Sequence, residues 1–357
     1  MKSNRINKVV EKMKAQGLDH LLITDPVSID YLLEYENHPG ERMYIMDLAS
    51  NGQHRLFFNI LFYVERDLGM PITWFSDTDD SAKLLSDHLQ GAEKIGVDKN
   101  MAARFLLPVM QSVDAQFVLG SSCVDEVRMQ KDEEEKALMI KASEMNDEAM
   151  GHIEKLLATN KTEKEMEDAL TKIYKSLGST GDSFDAIIGY GPNGANPHHF
   201  CDDSRLKPGD SIIVDMGCIY QGYCSDMTRT FFYQEVSEEQ RKVYELVLAA
   251  NKAAEAAIKP GVKLSDIDAI ARDLITKAGY GKEFNHRLGH FIGRDVHEFG
   301  DVSSVSEIIA KEGMVFSIEP GIYLKDDFGV RIEDLVMVTK EGCKVLNHYS
   351  KELTIIK

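Results

Sequence analysis

The chain has 357 residues, and its 59 acidic against 41 basic side chains give a formal net charge of −18. That length exceeds what one core normally serves and predicts two domains, while the acidic excess excludes a broad nucleic-acid footprint. No apolar run approaches the roughly 20 residues of a membrane-spanning helix, and Met1-Lys-Ser-Asn-Arg-Ile-Asn-Lys8 leads into no uninterrupted apolar stretch. The expectation is a soluble, cytoplasmic protein with no membrane partner. Five cysteines, Cys123, Cys201, Cys218, Cys224 and Cys343, follow no metal-finger spacing, and their odd number suits reduced thiols.

An amphipathic helix is predicted near residues 4–16, leading into the apolar run Leu21-Leu-Ile-Thr24. Tyr31-Leu-Leu-Glu-Tyr-Glu36-Asn37-His38-Pro-Gly-Glu-Arg42 reads as a polar loop between a helix and a strand. Strand-like runs at Arg55–Phe58, Glu93–Val97 and Gln116–Leu119 then alternate with helix-like stretches, which suggests a small α/β domain with a mixed sheet. A boundary is expected at about residues 120–132, giving domains of 1–125 and 126–357. Beyond it Lys131-Asp-Glu-Glu-Glu-Lys opens a long helix with Leu138, Ile140 and Met145 at helical spacing. Thr162-Glu-Lys-Glu165 and Ser237-Glu-Glu-Gln240 fit capping boxes of further helices, and Pro260-Gly261 closes one.

After these helices come two hairpin-like segments, each carrying acids where a lone charge should not sit. Ser211-Ile-Ile-Val-Asp215 and Ser225-Asp226-Met-Thr-Arg-Thr-Phe-Phe232 flank a Gly-containing turn. Met314-Val-Phe-Ser-Ile-Glu319-Pro-Gly-Ile-Tyr323 and Gly329-Val-Arg-Ile-Glu333-Asp-Leu-Val-Met-Val338 repeat the arrangement, with an acid on each of two apolar strands. An ionised carboxylate buried in such strands costs several kcal/mol unless paired or metal-bound. Taken singly, each acid could equally lie on a solvated face or in a salt bridge. As a set with His290, the five residues Asp215, Asp226, His290, Glu319 and Glu333 read as a site for two divalent metal ions.

Oxygen ligands with one imidazole suit Mn²⁺, Co²⁺, Fe²⁺ or Zn²⁺, and ligand softness favours Mn²⁺. Two such ions about 3.5–4 Å apart lower the pKa of a shared water and polarise a carbonyl, so amide or ester hydrolysis follows. Three of the eleven histidines fall in His286-Arg-Leu-Gly-His290-Phe-Ile-Gly-Arg-Asp-Val-His297-Glu298. His198 and His297 are the candidates for donating a hydrogen bond to a carbonyl or a developing oxyanion. Arg331, two residues before Glu333, shares its strand face and is a candidate for holding a ligand carboxylate. His286 and Tyr323 are further candidates for orienting a substrate, with a core aromatic as the equal alternative for Tyr323.

The chain resembles the pita-bread metallopeptidase family that includes Xaa-Pro dipeptidase (prolidase), aminopeptidase P and methionine aminopeptidase. The resemblance rests on Val-Asp215-Met-Gly, Ser-Asp226-Met-Thr-Arg, Gly-His290, Ser-Ile-Glu319-Pro-Gly and Arg-Ile-Glu333-Asp for the five ligands. Asn196-Pro-His198-His199 and Val-His297-Glu match the family's substrate-contacting histidines. It implies an α/β fold with a small mixed-sheet amino-terminal domain and a carboxyl-terminal domain of two pseudo-symmetric halves cupping the metals in a curved antiparallel sheet. It also implies that Asp226 and Glu333 bridge the metals, Asp215 completes one site, His290 and Glu319 complete the other, and Glu319 takes part in proton transfer. The amino-terminal domain, absent from typical methionine aminopeptidases, points to small proline-containing peptides as substrates, with a homodimer as the family's common state.

Two positions depart from the family pattern. Phe291 stands where Gly commonly follows the ligand histidine, so it either narrows the pocket or packs away from it. Arg294 replaces a frequent apolar residue and is a candidate receiver of a dipeptide's carboxylate, with Glu36 or His38 capping it; a solvated loop charge is the alternative reading. The expected activity is an Xaa-Pro dipeptidase, with aminopeptidase P as the alternative. A peptide-binding module or a metal-free creatinase-like hydrolase is disfavoured by the five intact ligands.

Overall fold

The structure, a computed structural model, describes residues 2–357. The chain divides into two compact units, Met1–Arg128 and Met129–Lys357.

The amino-terminal unit is a six-stranded mixed sheet with helices. Its helices are α1 (Ser3–Ala15), α2 (Pro26–Leu33), α3 (Ser81–His88), α4 (Ala103–Ser112) and α5 (Ser122–Met129). Its strands, β1 (His20–Ile23), β2 (Ile45–Ala49), β3 (Arg55–Asn59), β4 (Ile72–Phe75), β5 (Lys94–Val97) and β6 (Gln116–Leu119), lie in the order β4-β3-β2-β1-β5-β6. β2 runs antiparallel to both neighbours and the other pairs are parallel. One charge interrupts this apolar sheet. Asp47, fully buried on β2, is held by His20 Nδ1 at 2.9 Å and by His88 Nε2 at 2.8 Å.

In the carboxyl-terminal unit, α6 (Glu133–Leu157) packs on α7 (Glu163–Leu177), and α8 (Glu238–Ala257) on α9 (Leu264–Lys277). Asp132 with Glu135, Thr162 with Glu165 and Ser237 with Gln240 each form a complete capping box, satisfying orphan N–H groups at the start of α6, α7 and α8. After the first helix pair come β7 (Gly181–Asp182), β8 (Ile187–Tyr190), β9 (Ser211–Met216), β10 (Cys218–Tyr220), β11 (Tyr223–Cys224) and β12 (Met227–Tyr233). After the second come β13 (Gly289–Phe291), β14 (Glu298–Val302), β15 (Val315–Ile318), β16 (Gly321–Leu324), β17 (Phe328–Arg331), β18 (Asp334–Val338), β19 (Cys343–Val345) and β20 (Thr354–Ile356). The larger sheets are β20-β12-β9-β8 and β14-β13-β15-β18-β19, with β16–β17 as a separate antiparallel ribbon. Helix pair followed by antiparallel strands thus occurs twice, and the α/β class read from the sequence is observed.

The acids sit differently from the reading that put one on each strand. Only Asp215 lies within a strand. Asp226 immediately precedes β12, Glu319 immediately follows β15, and Glu333 falls in the break between β17 and β18. Pro320 lacks the N–H that would continue the ladder, so β15 stops at the acid. The freed backbone groups find partners in neighbouring segments: Glu319 N–H donates to Leu288 O at 2.8 Å, and Glu333 N–H to Thr228 O at 3.1 Å. The breaks therefore stitch segments together at the points where the carboxylates emerge.

Burial alone pulls the His20 imidazole down, but the hydrogen bond and charge of Asp47, with Asp19 adding, outweigh it and raise its pKa. A raised folded-state value stabilises the fold fully below the unfolded pKa near 6.5 and loses that contribution as pH rises through the folded value. Trp74, the single tryptophan, lies on β4 of the same sheet and reports its unfolding. Urea titrations followed by its fluorescence are expected to show a stability advantage of wild type over His20→Gln that shrinks as pH rises above 6.5; an advantage that grows with pH would refute this assignment.

Candidate metal centre

The two halves of the carboxyl-terminal unit bring the five sequence-predicted ligands to the floor of one cavity of about 660 Å³. Asp226, His290 and Glu333 offer ligand atoms that all lie within 4.8 Å of one another. His290 Nε2 stands 3.5 Å from Asp226 Oδ2 and 3.5 Å from Glu319 Oε1. Those separations are long for direct hydrogen bonds and suit ligands that share a cation at about 2.0–2.2 Å from each.

The electrostatics support the same reading. Burial, followed by the charge of Asp215, raises the Asp226 pKa well above the carboxylate range; burial, followed by Asp226, does the same to Glu333. Glu319 is raised as well, again chiefly by burial. Burial pushes His290 downward, toward the neutral imidazole that a metal requires. Asp215 Oδ1 and Asp226 Oδ1 are buried without a hydrogen-bond partner. Orphaned carboxylate oxygens beside a neutral imidazole form a donor set that fits divalent cations and is costly without them.

Arg331 offsets part of this charge. Its Nη2 donates to Asp215 Oδ2 at 2.5 Å, its Nη1 to the Tyr323 hydroxyl at 2.7 Å and its Nε to Thr228 Oγ1 at 3.1 Å. Arg331 thus holds the carboxylate of one ligand candidate, Asp215, as the sequence reading expected; its guanidinium is also engaged by Tyr323 and Thr228, and the residue is 3% exposed. Tyr323, whose pKa burial pushes up to about 12, also stands 3.1 Å from His286 Nε2.

Three residues that sequence reasoning passed over complete the support. Thr228 Oγ1 donates to Glu333 Oε2 at 2.6 Å, and Ser317 Oγ donates to Glu319 Oε1 at 3.0 Å while accepting from His290 N–H at 3.0 Å. Arg229 lies on the opposite strand face, where its Nη2 donates to Asp334 Oδ1 at 2.7 Å and its Nη1 to Glu333 O at 2.6 Å. The available signal was the two-residue period: Thr228 follows Asp226, and Ser317 precedes Glu319, by two.

Around the cavity, His198, His199, Phe200, His286, His297 and Tyr323 form much of the wall. His297 sits edge-to-face on His290 with ring centroids 4.3 Å apart. Desolvation, with His290 and Arg287 adding, lowers its pKa to about 4; desolvation, then Arg331, lowers that of His286 to about 4. Phe291 packs away from the ligand candidates, buried against Phe316 with centroids 5.4 Å apart, because neighbouring residues of a strand face opposite ways. Room for its ring comes from Gly300, where an added Cβ would lie 2.7 Å from Phe291 Cδ2.

The structure does not bring Arg294 to the cavity wall. Its guanidinium lies 5.3 Å over the Tyr223 ring and against Gly222, since the side chain leaves its loop toward the β10–β11 turn. The proposed capture of a dipeptide carboxylate by Arg294 is corrected accordingly. His38, in the amino-terminal unit, is exposed and pairs with Glu36 at 3.2 Å.

Residues 137–340 match metallopeptidase family M24, and residues 5–130 match the creatinase/prolidase N-terminal domain. The chain belongs to metallopeptidase family M24. A Staphylococcus aureus relative of this M24 chain, known only as an uncharacterized peptidase, is 34% identical over 97% of this chain and 99% of its own. Among solved structures, a dipeptidase from Pyrococcus horikoshii is 34% identical with a TM-score of 0.91, covering 98% of this chain and 99% of that one. A Thermococcus sibiricus prolidase is 33% identical with a TM-score of 0.93, covering 99% of each chain. M24 membership makes this protein a metallopeptidase that uses divalent metal, acting on peptides.

Thr228→Val keeps the shape but removes the donor to Glu333 and leaves Arg331 Nε unpaired. It is expected to weaken metal affinity about 10–100-fold, measured by titration against a chelator. Gly300→Ala, at φ +104° and against Phe291, is expected to destabilise the fold by about 1–3 kcal/mol, read as a lowered Tm.

Proposed function

We propose that this M24 chain is a dinuclear metallopeptidase that hydrolyses Xaa-Pro bonds, principally of dipeptides. The observation that carries the proposal is the convergence of Asp215, Asp226, His290, Glu319 and Glu333 beneath histidine-lined walls in one cavity. The proline preference is supported by the prolidase named among similar structures.

Asp215, Asp226, His290, Glu319 and Glu333 would hold the two cations, Mn²⁺ by preference, which supply a nucleophile at neutral pH and Lewis acidity at the scissile carbonyl when bound. The chain's own residues do the rest. His297, its pKa lowered to about 4, is neutral at working pH and donates an N–H to the developing oxyanion, with His198 contacting the substrate beside it. Glu319 would accept at Oε2 the proton released by the attacking water and pass it to the leaving nitrogen, while Ser317 steadies Oε1. Arg331 fixes Asp215, and the Tyr323–His286 contact holds that wall of the cavity in place.

Aminopeptidase P remains the second reading because the cavity, about 660 Å³, has room for a product longer than one residue. Initial rates on Ala-Pro and Ala-Pro-Ala with Mn²⁺ and with chelator decide between them. Metal-dependent cleavage of Ala-Pro well above the tripeptide is expected; equal or faster tripeptide cleavage establishes the second reading, and silence on both sinks the proline assignment. Glu319→Gln is expected to lower kcat at least about 100-fold.

A further inference from the structure

Glu163, the first residue of α7, is fully buried, yet both its carboxylate oxygens are saturated by one loop. Oε1 accepts from Tyr190 N–H at 2.8 Å and from Asn193 Nδ2 at 2.9 Å. Oε2 accepts from Asp202 N–H at 2.9 Å and stands 2.7 Å from His199 Nε2. These donors span the segment from the end of β8 to residue 202, so a single side chain closes a twelve-residue excursion. The first turn of α7 adds to the grip, since Glu163 N–H donates to Ser204 O and Lys164 N–H to Asp202 O. Those are orphan N–H groups of a helix start, and the local dipole favours a carboxylate there.

At the tip of this excursion sits His198, exposed and lining the cavity. Its backbone N–H donates to Asn196 Oδ1 at 3.1 Å, and His199, the next residue, turns its ring to Glu163. Anchoring residue 199 removes backbone freedom from residue 198, which stands on an irregular segment without a ladder to hold it. A mobile His198 would have to be ordered by each substrate, and that ordering lowers both affinity and rate. The anchoring contact, 2.7 Å long, ends on a fully buried carboxylate, the geometry of a strong hydrogen bond.

We infer that Glu163, acting through His199, is a positioning residue that fixes the loop bearing His198 over the reaction site. This rests on the proposed substrate contact of His198, and it adds a residue some distance along the chain from any ligand. Neither Glu163 nor His199 is assigned a contact with the reacting atoms.

The test uses the Mn²⁺-loaded full chain and compares kcat/KM on Ala-Pro for wild type, His199→Phe, His198→Ala and the double variant. His199→Phe keeps a ring but has no donor, and is expected to lose about tenfold in kcat/KM with metal content unchanged. In the His198→Ala background the same change should cost less than about twofold, because coupled residues are non-additive. His199→Gln, whose amide can donate to the same oxygen, should recover to within about threefold of wild type. Equal losses in both backgrounds, or a His199→Gln as defective as His199→Phe, would overturn the inference.

Absence of turnover in wild type would count against the peptidase reading alone. Hydrogen exchange then decides the inference without substrate: His199→Phe should speed exchange of residues 191–202 about tenfold, and unchanged exchange there refutes it.

Discussion

Four carboxylates and an imidazole share a volume too dry to hold their charges unaided, and much of the surrounding structure answers that conflict. Arg331 takes one oxygen of Asp215, Thr228 takes one of Glu333, and Ser317 takes one of Glu319. Among the oxygens these donors leave over, Asp215 Oδ1 and Asp226 Oδ1 are buried without a partner. Each remedy is local and partial, and together they leave a deficit of positive charge at the centre. On the proposed metal-binding reading, cation binding and carboxylate ionisation would be one coupled event, in which the metal supplies the stabilisation that desolvation withholds.

Two adjacent dipeptides show how a sheet serves this purpose on both faces. Thr228 and Glu333 meet on the cavity side, while Arg229 and Asp334 form a buried pair behind them. Arg229 also donates to Tyr349 O and Ser350 O, and Lys351 Nζ lies 2.7 Å from Asp334 Oδ2, so the last segment of the chain is bound to the back of the site. Truncating either partner of such a buried pair leaves an uncompensated charge. The precision of Glu333 thus depends on residues that never face the cavity.

Much of this was legible in the sequence because charge in an apolar strand is an anomaly that a reader can see. The five ligand candidates announced themselves that way, and the capping boxes at Thr162 and Ser237 marked helix starts by local chemistry alone. Thr228 and Ser317 were missed because a hydroxyl in a strand is unremarkable. Glu163 was hidden inside its own capping-box segment, where an acid in a first turn already has an explanation. Arg294 was misread for a different reason: its charge is visible in the chain, but the direction of its side chain depends on Tyr223, 71 positions away. Pro320 marks the break at Glu319 locally, but the partners that take up the freed N–H groups of Glu319 and Glu333, Leu288 and Thr228, lie in no local window.

Phe291 and Gly300 carry a consequence for how this chain changes over time. The phenyl ring occupies the space that a side chain at 300 would need, and the backbone at 300 adopts a φ that favours glycine. A lineage cannot enlarge position 300 while keeping Phe291, and shrinking position 291 first leaves a void in the core that any replacement at 300 must enter from a strained backbone. Positions 291 and 300 are therefore coupled beside His290, and a larger residue at 300 needs both a smaller one at 291 and a backbone willing to hold the positive φ.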